Sequence, residues 1–204
     1  MSLIVRKEFI RKKRDMPDKK NVKAIAIGAS AGALEAVTTL LEPLPADYPL
    51  PIIIVVHLPP DKDSIMARLL NDKCAITVKE AEDKEPIKPS HAYLAPPDYH
   101  LQIEKDYYFS LSIEDPILYS RPSIDVLFET AADAYRENLC GIVLTGANSD
   151  GANGLKAIMG YGGLGFVQEP KGAYASTMPK AAKKNCPKAL VMPLSEIATT
   201  LLKL

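Results

Sequence analysis

The sequence predicts an α/β fold: a doubly wound, mostly parallel sheet with helices on both faces and an antiparallel β-hairpin at one edge. Three observations carry this expectation. From Asn21 onward, short apolar runs alternate with longer segments whose apolar residues recur at helical spacing. The run Pro51-Ile52-Ile53-Ile54-Val55-Val56 is apolar and β-branched without interruption, as suits a parallel strand covered on both faces. Between the first apolar run and the first helical segment stands Gly28-Ala29-Ser30-Ala31-Gly32, a set of small residues suited to a tight strand-to-helix turn.

Taken in order, Lys23 to Ile27 is the first strand, and a helix follows from about Ala31 to Glu42, stopped by Pro43-Leu44-Pro45. The second strand is the run ending at Val56. Asp63 suits the N-cap of a helix through Met66, Leu69 and Leu70, and Cys74 to Lys79 reads as a third strand. Ala92 to Ala95 is a short strand. After a turn at Pro96-Pro97-Asp98, His100 to Glu104 and Tyr107 to Ile113 alternate as a hairpin does, with Lys105-Asp106 at its tip. Ser120-Arg121-Pro122 opens a helix from Ser123 to Arg136, since proline is tolerated in a first turn. Leu139 to Leu144 is a buried strand, Thr145 to Gly151 a polar loop, and Ala152 to Tyr161 a helix ended by Gly162-Gly163. A strand over 165–168, a helix from Met178 to Lys184, a strand from Ala189 to Met192 and a helix from Leu194 to Leu202 complete the chain.

The 204 residues suffice for one substantial core, so residues 23–204 are read as one domain. Residues 1–22 form a basic extension, flexible or peripheral: eight Lys and Arg, from Arg6 to Lys20, face only Glu8, Asp15 and Asp18. Over the whole chain 25 basic residues balance 25 acidic ones, so the charge gives no sign of a polyanion as the main partner and no nucleic acid is expected. With no Trp and few aromatics, stacking platforms for nucleic acid have little material. No apolar stretch approaches bilayer length, so no membrane insertion is expected. Cys74, Cys140 and Cys186 match neither a disulfide framework nor metal spacing, which points to a reducing cytoplasm and no metal.

The chemistry converges on strand ends. In an open parallel sheet, sites form outside the carboxyl ends of the strands. Ser30 follows the first strand within Gly-x-Ser-x-Gly, the spacing of a nucleophile elbow; His57 ends the second; Asp150 lies in the loop after Leu144. Together they supply a nucleophile, a general base and a carboxylate to orient the base. Each alone has an ordinary structural explanation, but three independent strand ends supply the three types required. The order Ser, His, Asp differs from the α/β-hydrolases, whose acid precedes a late His. His91 is a poor rival base because it precedes its strand; His100 ranks second. Asp98 and Asp125 are poorer orienters than Asp150, and Cys140 is expected to pack.

Five strings, in order, then point to one family: Ile27-Gly28-Ala29-Ser30-Ala31-Gly32, Val55-Val56-His57-Leu58-Pro59, Tyr93-Leu94-Ala95-Pro96-Pro97, Ser120 to Phe128, and Leu144-Thr145-Gly146 through Asp150-Gly151. The chain resembles the catalytic domain of the CheB-type chemotaxis protein-glutamate methylesterases from Lys23 to Leu204. The resemblance implies a cytoplasmic serine hydrolase that removes γ-methyl esters from glutamates on chemoreceptor helices, releases methanol, and has glutamine deamidation as a related activity. It implies catalytic roles for Ser30, His57 and Asp150 and no cofactor. We assign the oxyanion hole to the backbone N–H groups of Ala31 and Ala147, and take Arg121, His100 and Asn148 as candidate substrate contacts. Two motifs depart from the family pattern: Ala33 replaces a second Gly, and Ala147-Asn148 stands where Met-Gly is usual. The basic extension is too short to be the phospho-receiver domain of regulated members, so the expectation is a domain that acts unregulated, one controlled by a separate partner, or the catalytic part of a longer protein. A docking module and a phosphate-binding loop are the competing readings; the second lacks a clean Gly-x-Gly-x-x-Gly.

Overall fold

The computed structural model describes residues 21–57 and 65–204. The basic extension and Asp63 lie outside the described residues. The elements run β1 (Ala24–Ala29), α1 (Ala33–Leu41), β2 (Ile52–Val56), α2 (Ile65–Asn71), β3 (Thr77–Glu80) and β4 (His91–Leu94). Then follow β5 (His100–Ile103), β6 (Phe109–Ser112), α3 (Ile124–Tyr135), β7 (Leu139–Val143) and α4 (Ala152–Gly160). The chain closes with β8 (Leu164–Gln168), α5 (Thr177–Asn185), β9 (Leu190–Met192) and α6 (Leu194–Leu201).

Seven strands form one sheet in the order β3-β4-β2-β1-β7-β8-β9, and all its pairings are parallel. The strand order reverses between β1 and β7, which opens a crevice at the carboxyl ends of the central strands. Alternation along each strand divides the core into two layers. Ile25, Ile27 and Ala29 of β1, with Ile52, Ile54 and Val56 of β2, face α1, α2 and α6. Ala24 and Ala26 of β1, with Ile53 and Val55 of β2, face α3, α4 and α5.

The second face of β1 is lined by small residues, so α3 approaches it closely. A Cβ on Gly28 would collide with Cγ2 of Ile124, the first residue of α3, and a Cβ on Gly151 would lie 2.7 Å from the same atom. Two glycines thus make room for one helix start, and that start becomes part of the site.

The expected elements are present among the described residues, with local differences. β1 continues past Ile27 to Ala29 because both neighbours keep it paired: Leu144 N donates to Gly28 O at 2.9 Å and His57 N to Ala29 O at 3.2 Å. β3 begins at Thr77 rather than Cys74, because Lys73 and Cys74 donate their N–H groups to Leu70 O and close α2. Pro122 precedes the N-cap Ser123 instead of occupying the first turn of α3. The hairpin of β5 and β6 forms, but as a sheet of its own rather than as strands added to an edge. Its apolar side, with Leu101, Ile103 and Phe109, is buried against Tyr93 and α3, and β6 exchanges hydrogen bonds with 84–85 in the loop after β3.

Candidate active site

The turn after β1 is built to present Ser30. Ser30 N donates to Thr145 O at 2.9 Å, and Ala33 N donates back to Ser30 O at 2.9 Å. Gly32 carries the left-handed step, with φ 82°, where a side chain would be strained and its Cβ would lie 2.6 Å from Tyr174 Cβ. Helix α1 therefore starts at Ala33, two residues later than its sequence suggests. Gly28, the other glycine of the motif, serves close packing and not the turn. Thr145, almost fully buried, pins the turn from the next strand: its hydroxyl donates to Ala31 O at 2.7 Å and accepts Ala175 N at 2.8 Å. That role for Thr145 has no signature in the sequence beyond its place after a buried strand.

His57 and Asp150 meet across the crevice. β1 and β2 pair Ala29 with Val56, so Ser30 and His57 leave the sheet at the same level on adjacent strands. His57 Nε2 lies 2.8 Å from Asp150 Oδ2; the carboxylate is fully buried and the imidazole is one-tenth exposed. Because Asp150 takes Nε2, the ring proton resides there and Nδ1 is the nitrogen left to accept a proton. Ser30 Oγ makes no hydrogen bond among the described residues.

Asp150 is held by the start of α3. Its Oδ2 accepts Ile124 N at 2.7 Å, and its Oδ1 accepts Asp125 N at 2.9 Å, Gly151 N at 2.9 Å and the Ser123 hydroxyl at 3.1 Å. The carboxylate thus sits at the positive end of a helix and satisfies two of its orphan N–H groups. Burial alone would push its pKa up. The bonds from His57, Asp125 N and Ile124 N outweigh burial and hold the carboxyl below its ordinary range.

The other expected site residues divide. Ala31 and Ala147 follow the two central strands, and their N–H groups donate to no acceptor among the described residues. Asn148 does reach the His57–Asp150 pair: its Nδ2 lies 3.3 Å from His57 Nδ1, and its Oδ1 accepts Asp150 N at 3.2 Å. Arg121 is committed elsewhere. Its guanidinium bonds Asp98 at 2.7 and 3.0 Å and the carbonyls of Ile113 and Glu114 at 2.8 and 3.1 Å, which folds the 113–121 segment back on the 96–98 turn. His100 is buried, and both its nitrogens are used: Nδ1 accepts Ser123 N at 3.1 Å and Nε2 donates to Asp115 O at 3.2 Å. It has no nitrogen left for a substrate, and instead braces the serine that holds Asp150.

The rival groups are otherwise engaged. His91 begins β4, at the far end of the sheet, and bonds Pro89 O at 2.8 Å. Asp125 points its carboxylate at Gly154 N, 2.7 Å away, and at Asn153. Cys140 is fully buried, as packing requires. Among the described residues no group of three His, Cys, Asp or Glu could hold a metal, and no helix is long and apolar enough to cross a membrane.

Comparison with known proteins gives concordant results. The family model described as CheB methylesterase matches residues 25–201. A Leptospira interrogans protein, provisionally named protein-glutamate methylesterase/protein-glutamine glutaminase, is 48% identical over 184 residues, covering 90% of this chain and 95% of its own length. Bearing that name without qualification, the Bordetella parapertussis and Salmonella typhimurium proteins are each 38% identical over 88% of this chain. The chain spans about half of each, 52% of their length. Among solved structures, the CheB methylesterase catalytic domain of Thermotoga maritima superposes with a TM-score of 0.85 at 31% identity, covering 90% of this chain and 99% of that one.

Proposed function

The chain belongs to the CheB methylesterase family, and on that basis we propose that it hydrolyses γ-methyl esters of glutamate side chains in chemoreceptor-like proteins, releasing methanol. Glutamine deamidation at the same site follows from the same chemistry, with ammonia leaving in place of methanol. The observation that carries the reading is the 2.8 Å pair of His57 and buried Asp150, set one strand away from Ser30.

In this mechanism Ser30 Oγ attacks the ester carbonyl carbon while its proton passes to His57 Nδ1. Asp150, bound at Nε2, keeps the ring in the tautomer that leaves Nδ1 unprotonated and stabilises the imidazolium that forms. The tetrahedral oxyanion is met by Ala31 N–H and Ala147 N–H, each donor being worth about 3 kcal/mol of barrier. His57 returns the proton to the departing methoxide oxygen, and methanol leaves. Water then attacks the glutamyl-Ser30 ester, giving up a proton to His57; as the tetrahedral species collapses His57 passes that proton to Ser30 Oγ, and the glutamic acid released ionises to the carboxylate. The substrates we infer are methylated cytoplasmic helices of chemoreceptors, and a cytoplasmic location is part of the same proposal.

A catalytically weak docking module is the competing reading, favoured by the missing bond between Ser30 and His57. Methanol release from methylated chemoreceptor membranes separates the two. The enzyme reading expects release that Ser30→Ala abolishes; a folded wild-type protein that releases none from several receptors overturns it.

A further inference from the structure

The nitrogen that must take the proton from Ser30 is already occupied. With the ring proton on Nε2, directed at Asp150, Nδ1 of His57 carries a single in-plane lone pair. The group facing that lone pair is the Asn148 amide nitrogen, at 3.3 Å. The direction of the amide is fixed from its other end, because Asn148 Oδ1 accepts Asp150 N at 3.2 Å in an Asx turn. An N–H donor, not a carbonyl, is therefore aimed at the base.

This contact changes in value along the reaction. A donor on Nδ1 stabilises the neutral imidazole. Once Nδ1 has accepted the serine proton it is itself a donor, and it faces the Asn148 amide donor with no bond between them. The interaction is made in the resting enzyme and lost in the transition state, so it raises the barrier. We propose that Asn148 is a brake on the general base: its amide holds His57 Nδ1 in the resting enzyme and must be displaced before Ser30 can be deprotonated. Asn148 acts through His57 and is a positioning residue. The contact also accounts for the absence of a hydrogen bond from Ser30 Oγ to His57 Nδ1, since one lone pair serves one donor well.

The inference rests on the serine-hydrolase reading above, and one experiment tells their failures apart. The probe is diisopropyl fluorophosphate, which reports Ser30 nucleophilicity without a receptor. Wild type, Ser30→Ala, Asn148→Gly and Asn148→Ser are compared for maximal inactivation rate and for the half-saturating probe concentration. The Asn148→Ser side chain keeps an oxygen for Asp150 N–H but is too short to reach the ring, so this variant decides the matter if Asn148→Gly melts early. The brake predicts a maximal rate raised about threefold to tenfold, the equivalent of one net hydrogen bond, with half-saturation unchanged. It also predicts a shifted 15N resonance for His57 Nδ1 in the unreacted variants. Labelling of wild type that Ser30→Ala abolishes upholds the hydrolase reading. Equal or slower labelling of a variant that melts like wild type then overturns the brake alone. No labelling of any variant overturns both.

Discussion

Asp150 Oδ2 accepts the backbone N–H of Ile124 at 2.7 Å, so the residue paired with His57 also completes the first turn of α3. On the proposed mechanism, stability and catalysis meet in one carboxylate. Asp150→Ala strands three buried N–H groups and is expected to cost about 3 kcal/mol of stability as well as nearly all activity. Asp150→Asn keeps an acceptor for the helix but loses the anion that fixes the His57 tautomer. It should fold with a smaller loss while the turnover rate falls about 10⁴-fold. Thermal melting and methanol release on the two variants check this split; parallel losses in both properties would contradict it.

The acid limb of stability has a sign set by the same group. Asp150 sits below the usual carboxylate pKa of about 4, so on acidification the unfolded chain takes up its proton first. Its contribution is whole above that value and drains away as pH falls toward the lowered native one. Asp125 acts in the opposite sense: burial, reinforced by the charge of Asp150, raises its pKa, and the stability it allows is lost as pH rises through that raised value. Melting curves from pH 2 to 7 should show a shallower acid limb for Asp150→Asn. Asp125→Asn should raise Tm at pH 7 and leave it unchanged at pH 3.

Gly28 is needed for the space beside it. Gly28→Ala drives a methyl into Ile124 and pushes the start of α3 away from Asp150. Overpacking of this kind costs about 1–3 kcal/mol. The expected result is a lower Tm together with reduced turnover, although residue 28 touches no substrate. Ile124→Ala in the same chain removes the colliding Cγ2 and should recover part of both.

Ser123 caps α3 through Val126 N at 3.5 Å and donates its hydroxyl to Asp150 at 3.1 Å. Ser123→Ala is expected to cost about 1 kcal/mol and to slow turnover modestly with unchanged KM, because only the orientation of Asp150 loosens. A change in KM with turnover preserved would place Ser123 at the substrate instead.

What the sequence made legible was the part that strand ends dictate. Ser30, His57 and Asp150 each follow a run whose apolar pattern defines a parallel strand, and parallel strands bring such ends to one edge. The packing partners were not legible. Arg121 and His100 looked available because Asp98, Asp115 and Ser123, which engage them, are distant in sequence or contribute only backbone atoms. The brace from His100 through Ser123 to Asp150 links three elements that no local pattern connects. Asn148 was recognisable as a departure from the usual Gly, but that it faces Nδ1 and not a substrate depends on which ring nitrogen Asp150 takes. The hairpin alternated visibly, yet whether it joins the sheet or packs on it is decided by Tyr93 and α3.

The central claim is that Ser30 and His57 act on one step, and a double-mutant cycle tests it most directly. Methanol release is measured for wild type, Ser30→Ala, His57→Ala and the combined variant, all with matched melting temperatures. Groups that work as a unit are far from additive, so the account predicts that the combined variant is no slower than Ser30→Ala alone. Losses that multiply, each residue contributing its own factor, would contradict it.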